Sequence, residues 1–190
     1  MAMAVPDPGP WTVARFKAFE SPRDGNRYEL LDGALLVTPA PKLRHQRVVL
    51  QLVIALDAYV ARHGLGEVLL APLDVIVADD TVLEPDVLVI GERPADRREE
   101  DPIVPELLLA IEVLSPSSHV HDLGRKRVRL QRAGLVAYWV ADPDARTLTT
   151  WGPADDVGIS HAERLAWQPV PGVPPLALDV RALFAAALDR

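Results

Sequence analysis

Cysteine is absent from this 190-residue chain. That excludes disulfide bridges, thiolate metal ligands and a cysteine nucleophile. It suits a reducing compartment, so a cytoplasmic protein is the expectation. Long apolar runs are missing as well: none approaches the ~20 residues of a membrane helix, and no membrane partner is expected. The opening segment MAMAVPDPGP has no basic stretch followed by an apolar one, so it does not read as a secretory signal. Extremes of composition are also lacking. With 49% hydrophobic and 25% charged residues, the chain matches ordinary globular usage, which argues against wholesale disorder. Positive charge is in deficit: the net charge of −7 argues against non-specific nucleic-acid binding by the surface as a whole. Basic residues are nevertheless clustered, with Arg125, Lys126, Arg127, Arg129 and Arg132 in one short segment.

The length suits a single domain over residues 1–190. Thr12 reads as the cap of a short helix running to Phe19. RYELLDGALLVTP reads as a hairpin turning at Asp32-Gly33. Apolar residues at Val48, Leu52, Leu56 and Val60, with Gly64 as a stop, predict one long helix. Two or three strands follow between Gly66 and Glu92, with a turn at Asp79-Asp80. After the polar loop RPADRREEDPIVP comes a strand from Leu107. SPSS then offers caps for a helix over His121 to Ala133, ended by Gly134. VAYWVAD, a strand after PDAR, a strand near Ala162 to Trp167 and a terminal helix VRALFAAAL complete the order. Such an order predicts an α/β (α+β) core, a mixed sheet flanked by helices.

Two acids intrude where apolar residues are expected. Glu112 interrupts LLLAIEVL, a stretch that reads as a strand covered on both faces. Asp86 heads the apolar run VLVI. An unpaired buried carboxylate costs several kcal/mol or is forced neutral. If the two strands pair, the carboxylates converge and require a cation, for which Mg²⁺ or Mn²⁺ is the natural choice. The plainer reading is a strand-end Asp accepting backbone N–H groups and a Glu paired with one Arg.

The helix that follows carries a third anomaly. Leu123, Lys126, Leu130 and Ala133 share its inward face, so Lys126 could extend toward Glu112. Its plainer partner is Asp122, four residues earlier. Arg125, Arg129 and Arg132 form another stripe, suited to backbone phosphates or simply to solvent. His119, His121 and Asp122 hint at zinc, but no third distant ligand is evident. LSPSS lacks the tight glycine turn of a serine hydrolase.

YELLDG, PKLRHQ, EPDVLVI, IEVLSPSS, the Asp122 to Lys126 spacing and AGLVAYWVADP, in this order, resemble the Uma-two family. That family belongs to the restriction-endonuclease-like, PD-(D/E)xK phosphodiesterase superfamily. The resemblance covers roughly Tyr28 to Trp151, within a core of about 27–151. It implies a mixed sheet flanked by helices and a Mg²⁺-dependent nuclease acting on nucleic acid, with DNA the expected form. Asp86 matches the Asp of the PD motif and Glu112 the acid of the next motif; both are the implied metal ligands. The superfamily's Lys position, two residues on, is Leu114 here, and Lys126 in the following helix takes that role. Glu29 and His45 match further polar positions: Glu29 as a metal ligand or water holder, His45 as a phosphate contact or an orienting group. Gln131 and Ala137 depart from the family's usual Tyr and Glu. The rival reading is an inactive nuclease-fold module that binds nucleic acid or a protein partner. For assembly, a symmetric homodimer is the default form of an oligomer.

Overall fold

The computed structural model of the chain describes residues 9–115 and 121–189. Ser117, Ser118 and His119, read above as caps and a zinc candidate, lie outside these residues. Thr12 does cap α1 (Val13–Lys17), its hydroxyl accepting the Arg15 N–H at 3.3 Å. The hairpin is β1 (Arg27–Leu31) and β2 (Ala34–Thr38), with Asp32 and Gly33 both at positive φ in its two-residue turn. The long helix is α2 (Leu43–His63), and Gly64 ends it in the left-handed conformation at φ 60°.

Between Gly66 and Glu92 stand four strands rather than two or three: β3 (Glu67–Leu70), β4 (Val75–Ala78), β5 (Thr81–Leu83) and β6 (Val87–Ile90). Pro72 and Pro85 divide the stretch, because proline cannot donate to a strand ladder. The turn at Asp79-Asp80 divides it again. β7 (Leu107–Val113) carries Glu112. The helix expected over His121 to Ala133 is instead a wide π-helical turn, His121–Lys126, running into α3 (Arg127–Arg132). β8 (Tyr138–Asp142), β9 (Thr147–Trp151), β10 (Ile159–His161), β11 (Arg164–Trp167), β12 (Leu176–Asp179) and α4 (Val180–Leu188) follow. β10 and β12 have three and four residues, too short for a clear pattern in the sequence.

The fold is a mixed α+β arrangement in which helices flank several sheets. The largest sheet has the order β10-β9-β8-β7-β6-β3, with β7 and β8 parallel. A second sheet, β2-β1-β5-β4, packs beside it. Alternation along β6, β7 and β8 sends Val87, Val89, Leu109, Ile111 and Trp139 to one face, against α2 and α4. Leu88, Ile90, Ala110, Tyr138 and Val140 go to the other, against Leu130 of α3 and Leu31 and Leu83 of the second sheet. Both faces are therefore covered, which explains the continuous apolar run around Glu112. By the same alternation Asp86 and Glu112 belong to the second face. Among the described residues no helix is long and apolar enough to cross a membrane.

Candidate active site

Strand register decides where the two carboxylates meet. Val87 pairs with Ile111 across β6 and β7, so Asp86 falls opposite Glu112 one step further along. The Val113 N–H donates to Asp86 Oδ2 at 2.8 Å and closes that end of the ladder. Asp86 and Glu112 line one cavity of about 390 Å³ together with His45 and Lys126. Lys126 reaches it from the π-helical turn, with Nζ 3.1 Å from Glu112 Oε1 and 3.2 Å from Asp122 Oδ1. Both of the partners that the sequence offers this lysine are thus present. A third is added: Glu29 Oε2, on β1, at 2.8 Å. The other Glu29 oxygen accepts the Glu84 N–H at 2.9 Å. Glu29 therefore anchors Lys126.

Asp86 has further partners. Arg27, on the same face of β1 as Glu29, donates to Oδ1 at 2.7 Å. His45, in the first turn of α2, lies with Nε2 2.9 Å from Oδ2. A carboxylate only accepts, so Nε2 carries the proton and donates. Burial raises the pKa of Asp86, but the His45 hydrogen bond, the Arg27 charge and the Val113 N–H outweigh it and hold the group at about 2. Glu112 goes the other way. Burial pushes it well above the usual carboxylate range; Lys126 pulls it back, and Asp122, Asp86 and Glu29 push it up again. Burial lowers Lys126, yet the charges of Glu112, Glu29 and Asp122 raise it well above the ordinary lysine value. Among the described residues, four buried carboxylates, Glu29, Asp86, Glu112 and Asp122, face two fixed cations, Arg27 and Lys126. That crowding of acids adds to burial in raising Glu112.

The sequence matches the family described as "Putative restriction endonuclease", Uma2, over residues 13–181. The chain belongs to the Uma2 family. Among solved structures, a protein from Anabaena variabilis ATCC 29413, titled a putative nuclease belonging to DUF820, superposes with a TM-score of 0.75. The two are 22% identical, and the match covers 94% of this chain and 100% of that one. At that identity the likeness establishes the shared fold. No curated protein matches the sequence.

Within this Uma2 chain the cavity can be tested against a divalent cation. Among the described residues no three His, Cys, Asp or Glu side chains are grouped to hold a metal. Mg²⁺ and Mn²⁺ keep several waters and take one or two carboxylates plus substrate oxygens. Asp86 and Glu112 supply two hard carboxylates from adjacent strands, and like acids so close favour a cation beside them. The residues fit such an ion.

The basic stripe stands elsewhere. Arg125 and Arg129 pair with Asp32 in the β1–β2 turn, at 2.7 and 2.8 Å. Arg129 also pairs with Asp80 in the β4–β5 turn. Arg132 is exposed. None of the three lines the cavity, whose basic residues besides Lys126 are Arg27, Lys42 and Arg44. Arg27 is legible in the sequence as a strand residue two before Glu29, but the pattern makes it a partner of Glu29 rather than of Asp86. Lys42 and Arg44 carry a weaker signal, their position at the start of the long helix beside His45.

Proposed function

We propose that the chain is a Mg²⁺- or Mn²⁺-dependent nuclease that hydrolyses phosphodiester bonds of nucleic acid, DNA in the first place. One observation carries the reading: Asp86, Glu112 and Lys126, from three different parts of the chain, border one cavity, and all three are buried. Asp86 and Glu112 would hold the cation. When bound, it supplies a Lewis acid for a phosphoryl oxygen and a water of lowered pKa. Lys126 stabilises negative charge developing on the phosphate. Glu29 positions Lys126, while Arg27 and His45 fix the orientation of Asp86. Lys42 and Arg44, on the cavity wall, meet neighbouring phosphates, and the stripe at Arg125, Arg129 and Arg132 extends that contact along the backbone.

A second reading, a nuclease fold that binds without cutting, draws on one fact. Both oxygens of Asp86 already have protein partners. A cleavage screen separates the two. Single-stranded and duplex DNA and RNA are incubated with the protein in Mg²⁺, in Mn²⁺ and in EDTA. The enzyme reading expects cleavage that needs the metal and disappears in Glu112→Gln. Metal-independent binding with no cleavage of any substrate sinks it in favour of the second reading.

A further inference from the structure

A second cavity, about 550 Å³, opens on the other side of Asp86. Arg27, Ala40, Pro41, His45 and Asp86 line both spaces, which therefore adjoin one another. Their linings differ in the side chains they offer. The first sets Asp86, Glu112, Lys126, Lys42 and Arg44 among apolar groups such as Val113 and Leu114. The second has three aromatic rings, Phe16, Phe19 and Tyr28, facing polar groups and the segment Leu70 to Pro72. Phe19 and Tyr28 pack edge to face, with centroids 5.6 Å apart. Asp24 holds this wall in place, accepting from Tyr28 Oη at 2.7 Å and from Asn26 Nδ2 at 2.9 Å. Phe19 also packs edge to face with Trp11 at 5.3 Å, and both Phe19 and Tyr28 are only half-buried and border the cavity.

We infer that the second cavity receives one unstacked nucleobase of the strand whose phosphate lies beside Asp86 and Glu112. The inference rests on the nuclease reading and adds a substrate class to it. A base hangs one sugar away from its phosphate, so a strand in the first cavity delivers a base to its neighbour. Aromatic rings accept any base by stacking, while the polar wall can meet its edge. A base inside an intact duplex is stacked and paired on both sides and cannot enter. Single-stranded or locally opened nucleic acid is therefore the preferred substrate, and a fully paired duplex is a poor one.

The test is run in EDTA, so that binding is read without cleavage. Fluorescence anisotropy compares a single-stranded oligonucleotide with its fully paired duplex, and 5-iodouracil in the single strand is photocrosslinked and mapped by mass spectrometry. The expected result is single-strand binding about tenfold tighter than duplex binding, with the crosslink on Phe19 or Tyr28. Phe19→Leu, which keeps apolar bulk but loses the ring, should remove about that tenfold preference and leave duplex binding unchanged. Phe19→Trp, which restores a ring, should recover it. Equal affinity for the two forms, or crosslinks confined to other segments, overturns the base subsite and leaves the nuclease reading standing. No binding of either form by the wild-type chain, in EDTA and again with Ca²⁺ in place of Mg²⁺, overturns both.

Discussion

Lys126 Nζ lies 2.8 Å from Glu29 Oε2, closer than the 3.1 Å to the Glu112 oxygen that the strand pattern pointed to. The lysine therefore serves three acids, and its loss differs from the loss of any one of them. Lys126→Met leaves Glu29, Glu112 and Asp122 buried without their cation. Such a variant should lose about 3–5 kcal/mol and all cleavage activity. Glu112→Gln removes one charge from a crowded anionic cluster, so it should lose cleavage while melting at the wild-type temperature or above it in EDTA. Thermal melts of the two variants check the asymmetry. Equal and large destabilisation by both would make the pair a structural salt bridge.

The placement of the arginines yields a second expectation. In Arg125 and Arg129 each guanidinium bridges to a hairpin turn, through Asp32 for both and Asp80 for Arg129. Lys42 and Arg44 stand on the cavity wall, where Arg44 pairs with the exposed Asp144 and donates to the Pro143 carbonyl. Replacing Lys42 and Arg44 together by Ala should lower the slope of log K against log salt by about 0.7–0.9 for each phosphate no longer neutralised. Replacing Arg125, Arg129 and Arg132 together should lower the slope by less, and should cost no more than about 1 kcal/mol of stability per exposed pair. A larger slope change from the stripe than from the cavity pair would reverse the assignment.

Glu84 makes a prediction about pH. Burial and the charge of Asp74 push its pKa up from 4.5 to about 7, against the pull of Arg27. An acid whose pKa is raised on folding binds its proton more tightly in the native state. Its contribution is full below pH 4.5 and falls away as pH rises through about 7. Without divalent ions, the urea midpoint should decline between pH 5 and pH 8, and Glu84→Gln should flatten part of that decline. Glu112, raised in the same direction, accounts for a remaining slope. Identical slopes in the wild type and Glu84→Gln would show that Glu84 ionises like an exposed carboxylate.

Much of this arrangement is legible in the amino-acid sequence. A lone Glu in a run of Leu, Ala, Ile and Val announces a buried charge, and a Lys on an apolar helix stripe announces its partner. Periodicity of 2 and 3.6 locates such residues because it depends on neighbours in the chain. The partners of Asp86 are less accessible: Arg27 and His45 come from 59 and 41 residues away, and no local pattern encodes that approach. The same limit applies to the arginine stripe. Its spacing fixes which side of α3 it occupies, whereas the acidic turns at Asp32 and Asp80 that meet it come from a different sheet. The π-helical turn is hidden because residues one wide turn apart look like residues one α-turn apart over six positions.

Arg27 offers a test of whether Asp86 serves metal or structure, since its guanidinium occupies Asp86 Oδ1 at 2.7 Å. A metal ligand and an ion-pair partner respond in opposite ways when that guanidinium is removed. In the wild type, Mg²⁺ or Mn²⁺ at about a hundred times its dissociation constant should add about 2.7 kcal/mol of stability. For a domain of this size that is a rise in Tm of about 5–10 °C. Asp86→Asn should abolish the rise. Arg27→Met should lower the Tm in EDTA, because it leaves Asp86 short of a cation, yet it should bind the divalent ion more tightly because a competitor for Oδ1 has gone. Titration calorimetry reads the affinity, and melts with and without metal read the stability. If Arg27→Met is destabilised and gains nothing from either ion, Asp86 is the partner of Arg27 and His45 alone, and the metal-dependent reading of this site fails.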